Sequence, residues 1–224
     1  MNELLFIGTA VFCLGMTLLA FRLWGKKGLY VWICLATILA NIEVVKCVDM
    51  FGLAVTLGNI MYGSLFLCTD IASELYGGKE ARKLVLVGFF ALVMFTIVTQ
   101  VGMLYVPNSQ DWASEHMAQI FGLVPRICAA SLLGFLCSNT LDTYIYDWIA
   151  KKTTRKWLRN NGSTLTSQLV DSFLFSIVAF AGVFDWATII ELSLTTYAIK
   201  VMFALLDTPF LYLACKINEK YLKQ

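Results

Sequence analysis

Seven apolar stretches, each long enough to cross a lipid bilayer as a helix, constrain this chain more than any other feature. An α-helix rises about 1.5 Å per residue, so about 20 apolar residues span the roughly 30 Å hydrocarbon layer. Only 14% of the 224 residues are charged, whereas a soluble domain carries about a quarter. The sequence therefore predicts one all-α membrane domain over residues 1–224, a bundle of about seven transmembrane helices. The predicted spans are residues 4–22, 29–48, 54–75, 84–106, 119–149, 164–183 and 187–214.

The loops between these spans alternate between basic and non-basic. Cytoplasmic loops of membrane proteins carry an excess of Lys and Arg, so the pattern predicts an outside N-terminus and a cytoplasmic C-terminus. The alternation depends on a count of seven spans and supports that count independently. Lys46 is placed inside the second span, which leaves the second loop without a basic residue. The first, third and fifth loops and the tail contain Arg22, Lys26 and Lys27; Lys79, Arg82 and Lys83; Lys151, Lys152, Arg155, Lys156 and Arg159; and Lys216, Lys220 and Lys223.

Several functional classes that need specific residue patterns are not indicated by this sequence. The net charge of +2 and the short basic clusters do not suggest a nucleic-acid partner. The seven cysteines contain no CxxC pair and His116 is the single histidine, so neither a zinc site nor a hydrolase of the HExxH type is predicted. The glycines after the third span lack the spacing of a phosphate-binding loop. We predict no cofactor and no enzymatic activity.

Polar side chains inside the second and third spans are candidates for a substrate site. A charged side chain at mid-membrane costs at least about 2.5–3.5 kcal/mol, so such residues usually face a cavity or pair with one another. Asn41, Glu43 and Lys46 lie in the second half of span two. Glu43 and Lys46 share a helix face and could equally form a self-neutralising pair near the outer interface. Asp70 and Glu74 share a face of the third span, where Glu74 could instead mark the cytoplasmic interface.

Three later spans contribute further candidates. Arg126, at the start of the fifth span, suits either a carboxylate partner or lipid headgroups. Gln168 and Asp171 share a face of the sixth span and suit either a ligand or hydrogen bonds between helices. Lys200 lies near the middle of the seventh span and needs a carboxylate, for which Asp70 and Asp171 are the candidates. Asp70 is in turn open to a purely structural pairing with Arg126 or Lys200.

The predicted substrate-binding set thus comes from five spans. Four aromatic residues, Tyr62, Phe66, Phe175 and Tyr197, lie beside the set in sequence and could stack on a planar ligand, although each also suits helix packing. The set consists of Asn41, Glu43, Asp70, Glu74, Arg126, Gln168, Asp171 and Lys200.

Five segments in these spans carry a resemblance to a known family. ANIEVVK, FLCTDIASELYGGKEAR, PRICAAS, TSQLVDSFLFSIVAFAG and YAIKV occur in this order. With them the chain resembles the queuosine precursor transporter family, also called VUT, from about residue 36 to residue 212. The strongest pieces are the TD, E, YG and AR pattern of the third span and the SQ and DS pairs of the sixth. The resemblance implies a six-helix fold related to the substrate-binding subunits of vitamin transporters, with an extra first helix (4–22) ahead of the core (29–214).

The resemblance also implies a substrate. It implies import of 7-cyano-7-deazaguanine, 7-aminomethyl-7-deazaguanine or queuine for the queuosine modification of tRNA. The partners would then be a small molecule and membrane lipid, and the location the inner (plasma) membrane. On this basis a carboxylate such as Asp171 would accept hydrogen bonds from N1–H and the 2-amino group of the base, while Gln168, Asn41 or Lys200 would meet O6 or the ring nitrogens.

Other interpretations stay open at the level of sequence. The chain could import another small heterocycle or vitamin, alone or as the membrane subunit of an ATPase-driven importer. Asp70, Glu74 or Asp171 could couple transport to protons, and facilitated diffusion fits equally well. An intramembrane enzyme is the least favoured function. Whether the unit is a monomer or a homodimer is also open.

Overall fold

A computed structural model describes the backbone of residues 1–153 and 156–222. Arg155 and Lys223, two of the basic residues used above, lie outside the described residues, as do the side chains of Lys156 and Arg159. The described chain is a helical bundle with one short antiparallel hairpin. The helices are α1 (Asn2–Trp24), α2 (Lys26–Glu43), α3 (Gly58–Tyr76), α4 (Gly78–Gly102), α5 (Ser114–Phe121), α6 (Val124–Ala150), α7 (Lys156–Phe180), α8 (Trp186–Leu206) and α9 (Thr208–Ile217), followed by a π-helical turn (Asn218–Leu222), and the strands are β1 (Cys47–Met50) and β2 (Leu53–Thr56).

Each predicted span overlaps one long helix, so the prediction of an all-α membrane bundle is confirmed. Two of these helices, α2 and α3, are more polar than the rest, because α2 carries Lys26, Lys27 and Glu43 and α3 carries Asp70 and Glu74. α2 packs against α1, α3, α4 and α6, and α3 packs against α1, α2, α4, α8 and α9, so protein surrounds much of their surface. Within the described residues, the stretches long and apolar enough to cross a bilayer are Asn2–Trp24, Gly78–Gly102, Ser114–Ala150, Gly162–Phe180 and Trp186–Tyr221.

The end of the second predicted span is wrong, because helix α2 stops at Glu43 and the chain then forms the β1–β2 hairpin. Lys46, predicted inside the helix, lies just before β1, and no ion pair between Lys46 and Glu43 occurs among the described residues. The hairpin turns at Phe51 and Gly52, whose φ angles of 53° and 77° provide the positive-φ pair of a tight two-residue turn. The apolar run through VVKCVDM contains no signal that separates a helix end from a short strand.

Glycine and proline set several helix connections. Gly25 joins α1 to α2 and Gly77 joins α3 to α4, at φ angles of 55° and 87° that residues with side chains rarely adopt. Pro125 lies in the first turn of α6, where a missing N–H breaks no helical hydrogen bond. Pro209 lies in the first turn of α9. The seventh predicted span is therefore interrupted, with the buried Asp207 at the junction of α8 and α9.

Charged contacts place three of the predicted basic segments at one end of the bundle. The Lys26 ammonium of the first loop lies 2.8 Å from the Glu80 carboxylate at the start of α4. The Tyr30 hydroxyl donates to the same carboxylate at 2.5 Å. The Arg22 guanidinium lies 4.7 Å from the ring centre of Tyr221 in the tail. The first loop, the third loop and the tail therefore meet, as an alternating topology requires.

The opposite end carries the start of α1, the hairpin and the start of α8. The Phe51 N–H donates to the Glu3 carboxylate at 3.3 Å. The Ala54 N–H of β2 donates to the Glu191 carboxylate at 2.7 Å. These contacts agree with the alternation of the loops, whereas the assignment of this end to the outside of the cell remains a prediction.

Buried apolar side chains form two clusters. The larger one joins α1, α2, α3, the hairpin, α8 and α9, with Phe21, Leu67 and Phe203 among its fully buried members. The smaller one joins α6, α7 and the start of α8 around Ile127 and Leu192. Helices from both clusters line the cavity described next.

Candidate functional site

A cavity of about 350 Å³ lies between six helices. Its size falls within the range of small-molecule sites. Most of the wall is apolar and aromatic, with a small number of polar groups, which is the usual composition of such sites. The lining side chains include Tyr62, Phe66 and Thr69 of α3, Arg82 and Phe89 of α4, Ser131, Phe135 and Ser138 of α6, Gln168, Asp171 and Phe175 of α7, and Thr196 and Lys200 of α8, and Thr37 of α2 also lines the cavity.

An ion pair between Asp171 of α7 and Lys200 of α8 faces this cavity. The Lys200 ammonium donates a hydrogen bond to the Asp171 carboxylate. The Asp171 side chain is 19% exposed and the Lys200 side chain is 11% exposed. The sequence leaves two partners open for Lys200, and in the structure Lys200 pairs with Asp171. A charge this far from water needs such a partner, because several kcal/mol of desolvation cost otherwise stay uncompensated.

Close packing of α6 holds the Asp171 carboxylate in position. Gly134 of α6 faces it, and a Cβ atom built on Gly134 would lie 2.7 Å from Asp171 Oδ1. A carbon and an oxygen cannot approach that closely, so the carboxylate would have to move. A side chain at Gly134 would thus displace the carboxylate that forms the ion pair.

Gln168 lies one turn before Asp171 and has an unfilled hydrogen-bonding position. Its Oε1 atom is buried and has no hydrogen-bond partner among the described residues. A buried acceptor without a donor costs about 1–3 kcal/mol. Gln168 lines the cavity, but Oε1 itself has almost no accessible surface, so the side chain must rotate before a bound molecule can donate to this atom.

Aromatic rings cover several sides of the cavity. Of the four aromatic residues named from the sequence, Tyr62, Phe66 and Phe175 line it, whereas Tyr197 is outside the lining. Phe89 and Phe135, which the sequence did not single out, also line it. Their ring centres lie 4.8 Å apart in an edge-to-face arrangement, a favoured geometry for aromatic pairs. The wall thus offers flat apolar surfaces beside the ion pair.

Asn41 lies behind the cavity wall and does not line the cavity. It is 1% exposed. Its Nδ2 donates to the Thr37 carbonyl oxygen at 2.8 Å, and its Oδ1 accepts from the Ser131 hydroxyl at 3.3 Å. Asn41 is therefore hydrogen-bonded to Ser131, which is itself a lining residue.

The three remaining carboxylates of the predicted set lie outside the cavity lining. Glu43 ends α2. Asp70 and Glu74 are exposed residues of α3. Among the described residues none of the three has an ion-pair partner within 4.0 Å. A structural pairing of Asp70 with Lys200 is thus absent from this conformation.

Arg126, the last member of the predicted set, joins two helices. Its Nε donates to the Val178 carbonyl oxygen and its Nη2 to the Ala181 carbonyl oxygen, both at 2.6 Å. Carbonyl groups at the end of a helix have no intrahelical partner, so a guanidinium is a suitable donor for them. In the structure Arg126 caps the end of α7 and is not a lining residue.

Two groups of lining residues are not part of the site predicted from the sequence. Arg82 was interpreted as a surface charge, yet it lines the cavity from the first turn of α4. The resemblance did contain a signal for it, since Arg82 ends the AR pair of the third-span pattern. Ser131 and Thr196 also line the cavity, and the sequence does not mark them, because a small polar residue inside a helix is common at helix contacts. Among the described residues no cluster of three or more metal-ligating side chains occurs.

Comparison with known proteins gives two kinds of match. A family described as "putative vitamin uptake transporter" matches residues 56–214. No solved structure matches the chain. The family match begins just before α3 and ends in α9, so it includes the helices that contribute Asp171, Lys200 and Gln168 to the cavity.

Three curated relatives share a name. A "Probable queuosine precursor transporter" of Bacillus subtilis (strain 168) is 42% identical over 219 residues, 96% of this chain and 96% of the relative. The "Queuosine precursor transporter" of Escherichia coli (strain K12) is 24% identical over 161 residues, 70% and 71% of the two chains. A "Probable queuosine precursor transporter" of Haemophilus influenzae is 25% identical over 130 residues, 58% and 54% of the two chains.

The matches and the apolar helices lead to the same conclusion about class and location. The helices make the chain a multi-pass membrane protein, and its relatives are bacterial transporters. Its place is therefore the plasma membrane. On the extent of the family match and the 42% identity over 96% of its length, the chain belongs to the family of vitamin uptake and queuosine precursor transporters.

Proposed function

We propose that this protein imports a queuosine precursor, which is then used for the modification of tRNA. The precursor is a 7-deazaguanine base: 7-cyano-7-deazaguanine, 7-aminomethyl-7-deazaguanine or queuine. The names of three relatives support transport of a queuosine precursor, and the family description supports uptake of a small molecule. The cavity between α2, α3, α4, α6, α7 and α8 is the binding site in this proposal.

The observation that carries the proposal is the Asp171–Lys200 pair beside Gln168, whose Oε1 has no hydrogen-bond partner among the described residues. A buried ion pair adds little stability in itself, because desolvation of both ions offsets their attraction. The same ion pair contributes more to ligand affinity, since hydrogen bonds from a ligand to charged groups are strong where water is excluded. The pair and Gln168 sit among aromatic rings, so one wall can bind polar edges while another contacts a flat ring.

The hydrogen-bonding capacity of these three residues matches that of a guanine-like base. Lys200 has three N–H donors and uses one of them on Asp171, which leaves donors for O6 of the base. The Asp171 carboxylate keeps acceptor positions for N1–H and the 2-amino group. Gln168 Oε1 offers a further acceptor. The ring itself would stack against Phe66 or Phe175.

The test of this proposal is import of the base into living cells. The chain is expressed in a bacterium that cannot make the deazaguanine base and lacks its own importer. Each base is supplied at nanomolar concentration, and tRNA is then probed for queuosine. We expect queuosine with the wild-type chain and a loss of roughly tenfold or more with Asp171→Asn, because a charge-assisted hydrogen bond contributes about 1.5–3 kcal/mol.

Two further variants separate binding from folding. Asp171→Asn leaves Lys200 unpaired, so the double variant Asp171→Asn with Lys200→Gln removes both charges together. If the pair only stabilises the bundle, the double variant regains import; we expect it to remain inactive. Asp147→Asn, an exposed carboxylate of α6 outside the cavity, is the matched control and should import normally. Queuosine that never appears while the protein is present in the membrane would contradict the proposal.

Import of a vitamin is the second candidate, because the family description names vitamin uptake. The same cavity would then bind a different planar heterocycle. Competition separates the two: an excess of unlabelled vitamins should leave uptake of labelled deazaguanine unchanged. Strong inhibition by one vitamin, with deazaguanine itself a weak competitor, would favour this second candidate.

A further inference from the structure

We infer that a polarised chain of hydrogen bonds, running from Tyr62 through Ser131 to Asn41, turns one wall of the cavity into a set of acceptors, so that the site selects bases that present N–H donors. The inference rests on the proposed function, since it takes the cavity as the site that binds the base. Asn41 is then a positioning residue that acts through Ser131 without contacting the ligand.

The orientation of the Asn41 amide follows from its contact with Thr37. The Thr37 carbonyl oxygen can only accept, so the atom 2.8 Å from it must be the amide nitrogen. The Asn41 oxygen therefore faces Ser131, at 3.3 Å from its hydroxyl. Asn41 is 1% exposed, so no water competes for this oxygen, and the amide is held in one orientation.

The Asn41 oxygen in turn orients two hydroxyl groups. Ser131 has a single hydroxyl hydrogen, which it donates to Asn41 Oδ1. The Tyr62 hydroxyl lies 3.2 Å from Ser131 Oγ. Since Ser131 has no second hydrogen, Tyr62 is the donor in that contact. Both hydroxyl hydrogens point along the chain toward Asn41, and the oxygen lone pairs that remain free are the groups available to the cavity.

Neighbouring hydroxyls have the same polarity for a different reason. The Thr69 hydroxyl donates to the Phe66 carbonyl oxygen at 2.8 Å, and the Ser138 hydroxyl donates to the Phe135 carbonyl oxygen at 3.2 Å. Each hydrogen is thus used inside its own helix. Thr69 and Ser138 line the cavity and offer it acceptor lone pairs only.

The unpartnered Gln168 oxygen points to the same ligand chemistry. Gln168 Oε1 is buried and lacks a donor among the described residues. If the Gln168 side chain rotates toward the cavity, this oxygen joins the acceptor wall that Tyr62 and Ser131 form, which an N–H donor would complement. A ligand group that brings a lone pair to this wall would face other lone pairs. Asp171 accepts from N1–H and from one hydrogen of the 2-amino group in the proposed binding mode, so the second amino hydrogen is the donor left for this wall. A base without the amino group leaves these acceptors unpaired.

The experiment measures discrimination between two bases that differ by one amino group. Initial uptake of labelled 7-cyano-7-deazaguanine by cells expressing the full chain is inhibited with unlabelled 7-deazaguanine or with 7-deazahypoxanthine, which lacks the 2-amino group. For the wild-type chain we expect the half-inhibitory concentration of 7-deazahypoxanthine to be at least about tenfold higher than that of 7-deazaguanine, because a buried acceptor then stays unpaired.

Two variants test whether the hydrogen-bond chain causes this discrimination. Asn41→Leu removes the acceptor that orients Ser131, and Ser131→Ala removes the middle hydroxyl and frees the Tyr62 hydrogen. In both variants we expect the ratio of the half-inhibitory concentrations of the two competitors to fall to roughly threefold or less. Ser193→Ala is the matched control, since Ser193 is a buried serine of α8 that donates to the Ile189 carbonyl oxygen and lies outside the cavity lining. It should keep the wild-type ratio.

The possible results separate this inference from the proposed function. Uptake that is inhibited equally by both compounds in the wild-type chain would overturn the inference and leave the proposed function standing. A wild-type ratio that persists in both Ser131→Ala and Asn41→Leu would overturn the positioning role. Should Asn41→Leu fail to reach the membrane, Ser131→Ala decides by itself. Absence of any uptake by the wild-type chain would overturn both proposals.

Discussion

A lysine near the middle of a membrane helix is informative at the scale of one residue, because its charge must be compensated. The sequence alone indicates that Lys200 needs a carboxylate and offers Asp70 and Asp171 as candidates. The choice between them depends on how α3, α7 and α8 rotate against one another. In the structure Lys200 pairs with Asp171, and Asp70 remains exposed on α3.

Gly134 provides a test of the ion pair that leaves both charges in place. Gly134→Ala puts a Cβ atom 2.7 Å from Asp171 Oδ1, so the carboxylate must shift. We expect the transport KM to rise by roughly tenfold or more, since a charge-assisted hydrogen bond is worth about 1.5–3 kcal/mol, while the protein level in the membrane changes little. Gly15→Ala on α1 is the control, because nothing lies within 4 Å of a Cβ there. An unchanged KM for Gly134→Ala would argue against Asp171 as a substrate contact.

At the scale of elements, α3 and α8 make a close contact at Gly63. A Cβ atom on Gly63 would lie 2.1 Å from the ring of Phe203, which is fully buried. Gly63 neighbours Tyr62, and Phe203 follows Lys200 by one turn on α8. The two helices can therefore approach only because Gly63 has no side chain.

Gly63→Ala should separate α3 from α8. We expect the free energy of unfolding in detergent to fall by about 1–3 kcal/mol, the usual cost of overpacking a core, together with weaker substrate binding. Phe203→Leu added to Gly63→Ala should recover part of the stability, because the smaller side chain makes room for the methyl group. If the double variant is less stable than Gly63→Ala by the full cost of Phe203→Leu alone, the two positions do not interact and the contact is not the cause.

The elements also show where a sequence is uninformative. The long helices follow from apolar length, and the first-turn position of Pro125 follows from its missing N–H. The β1–β2 hairpin could not be predicted from the sequence, because CVDM continues an apolar run and Phe51 is an unusual residue at a positive φ. The hydrogen-bond chain of Asn41, Ser131 and Tyr62 could not be predicted from the sequence either, since it joins α2, α6 and α3 and depends on how those helices pack.

At the scale of the whole molecule, the alternating loops predict how the bundle sits in the membrane. Contacts such as Lys26 with Glu80 gather the first and third loops at one end, and Ala54 with Glu191 joins the hairpin to α8 at the other. The positive-inside rule then assigns the Lys26 end to the cytoplasm.

Reporter fusions measure this orientation. A green fluorescent protein fused after Gln224 should fluoresce, because it folds in the cytoplasm, whereas alkaline phosphatase fused there should be inactive. The same pair inserted between Asn108 and Ser109, in an exposed loop, should give the reverse result. The opposite pattern at both sites would contradict the predicted topology while leaving the fold intact.

Transport by the purified protein tests the central claim most directly. The full chain is reconstituted into liposomes, and entry of labelled 7-cyano-7-deazaguanine is followed against empty liposomes and against liposomes with Asp171→Asn. The account predicts saturable entry with the wild-type chain, competition by 7-deazaguanine, and entry close to that of empty liposomes with Asp171→Asn. Equal entry with the wild-type and Asp171→Asn chains would contradict the assignment of the cavity, and wild-type entry no faster than that of empty liposomes would contradict transport of this base.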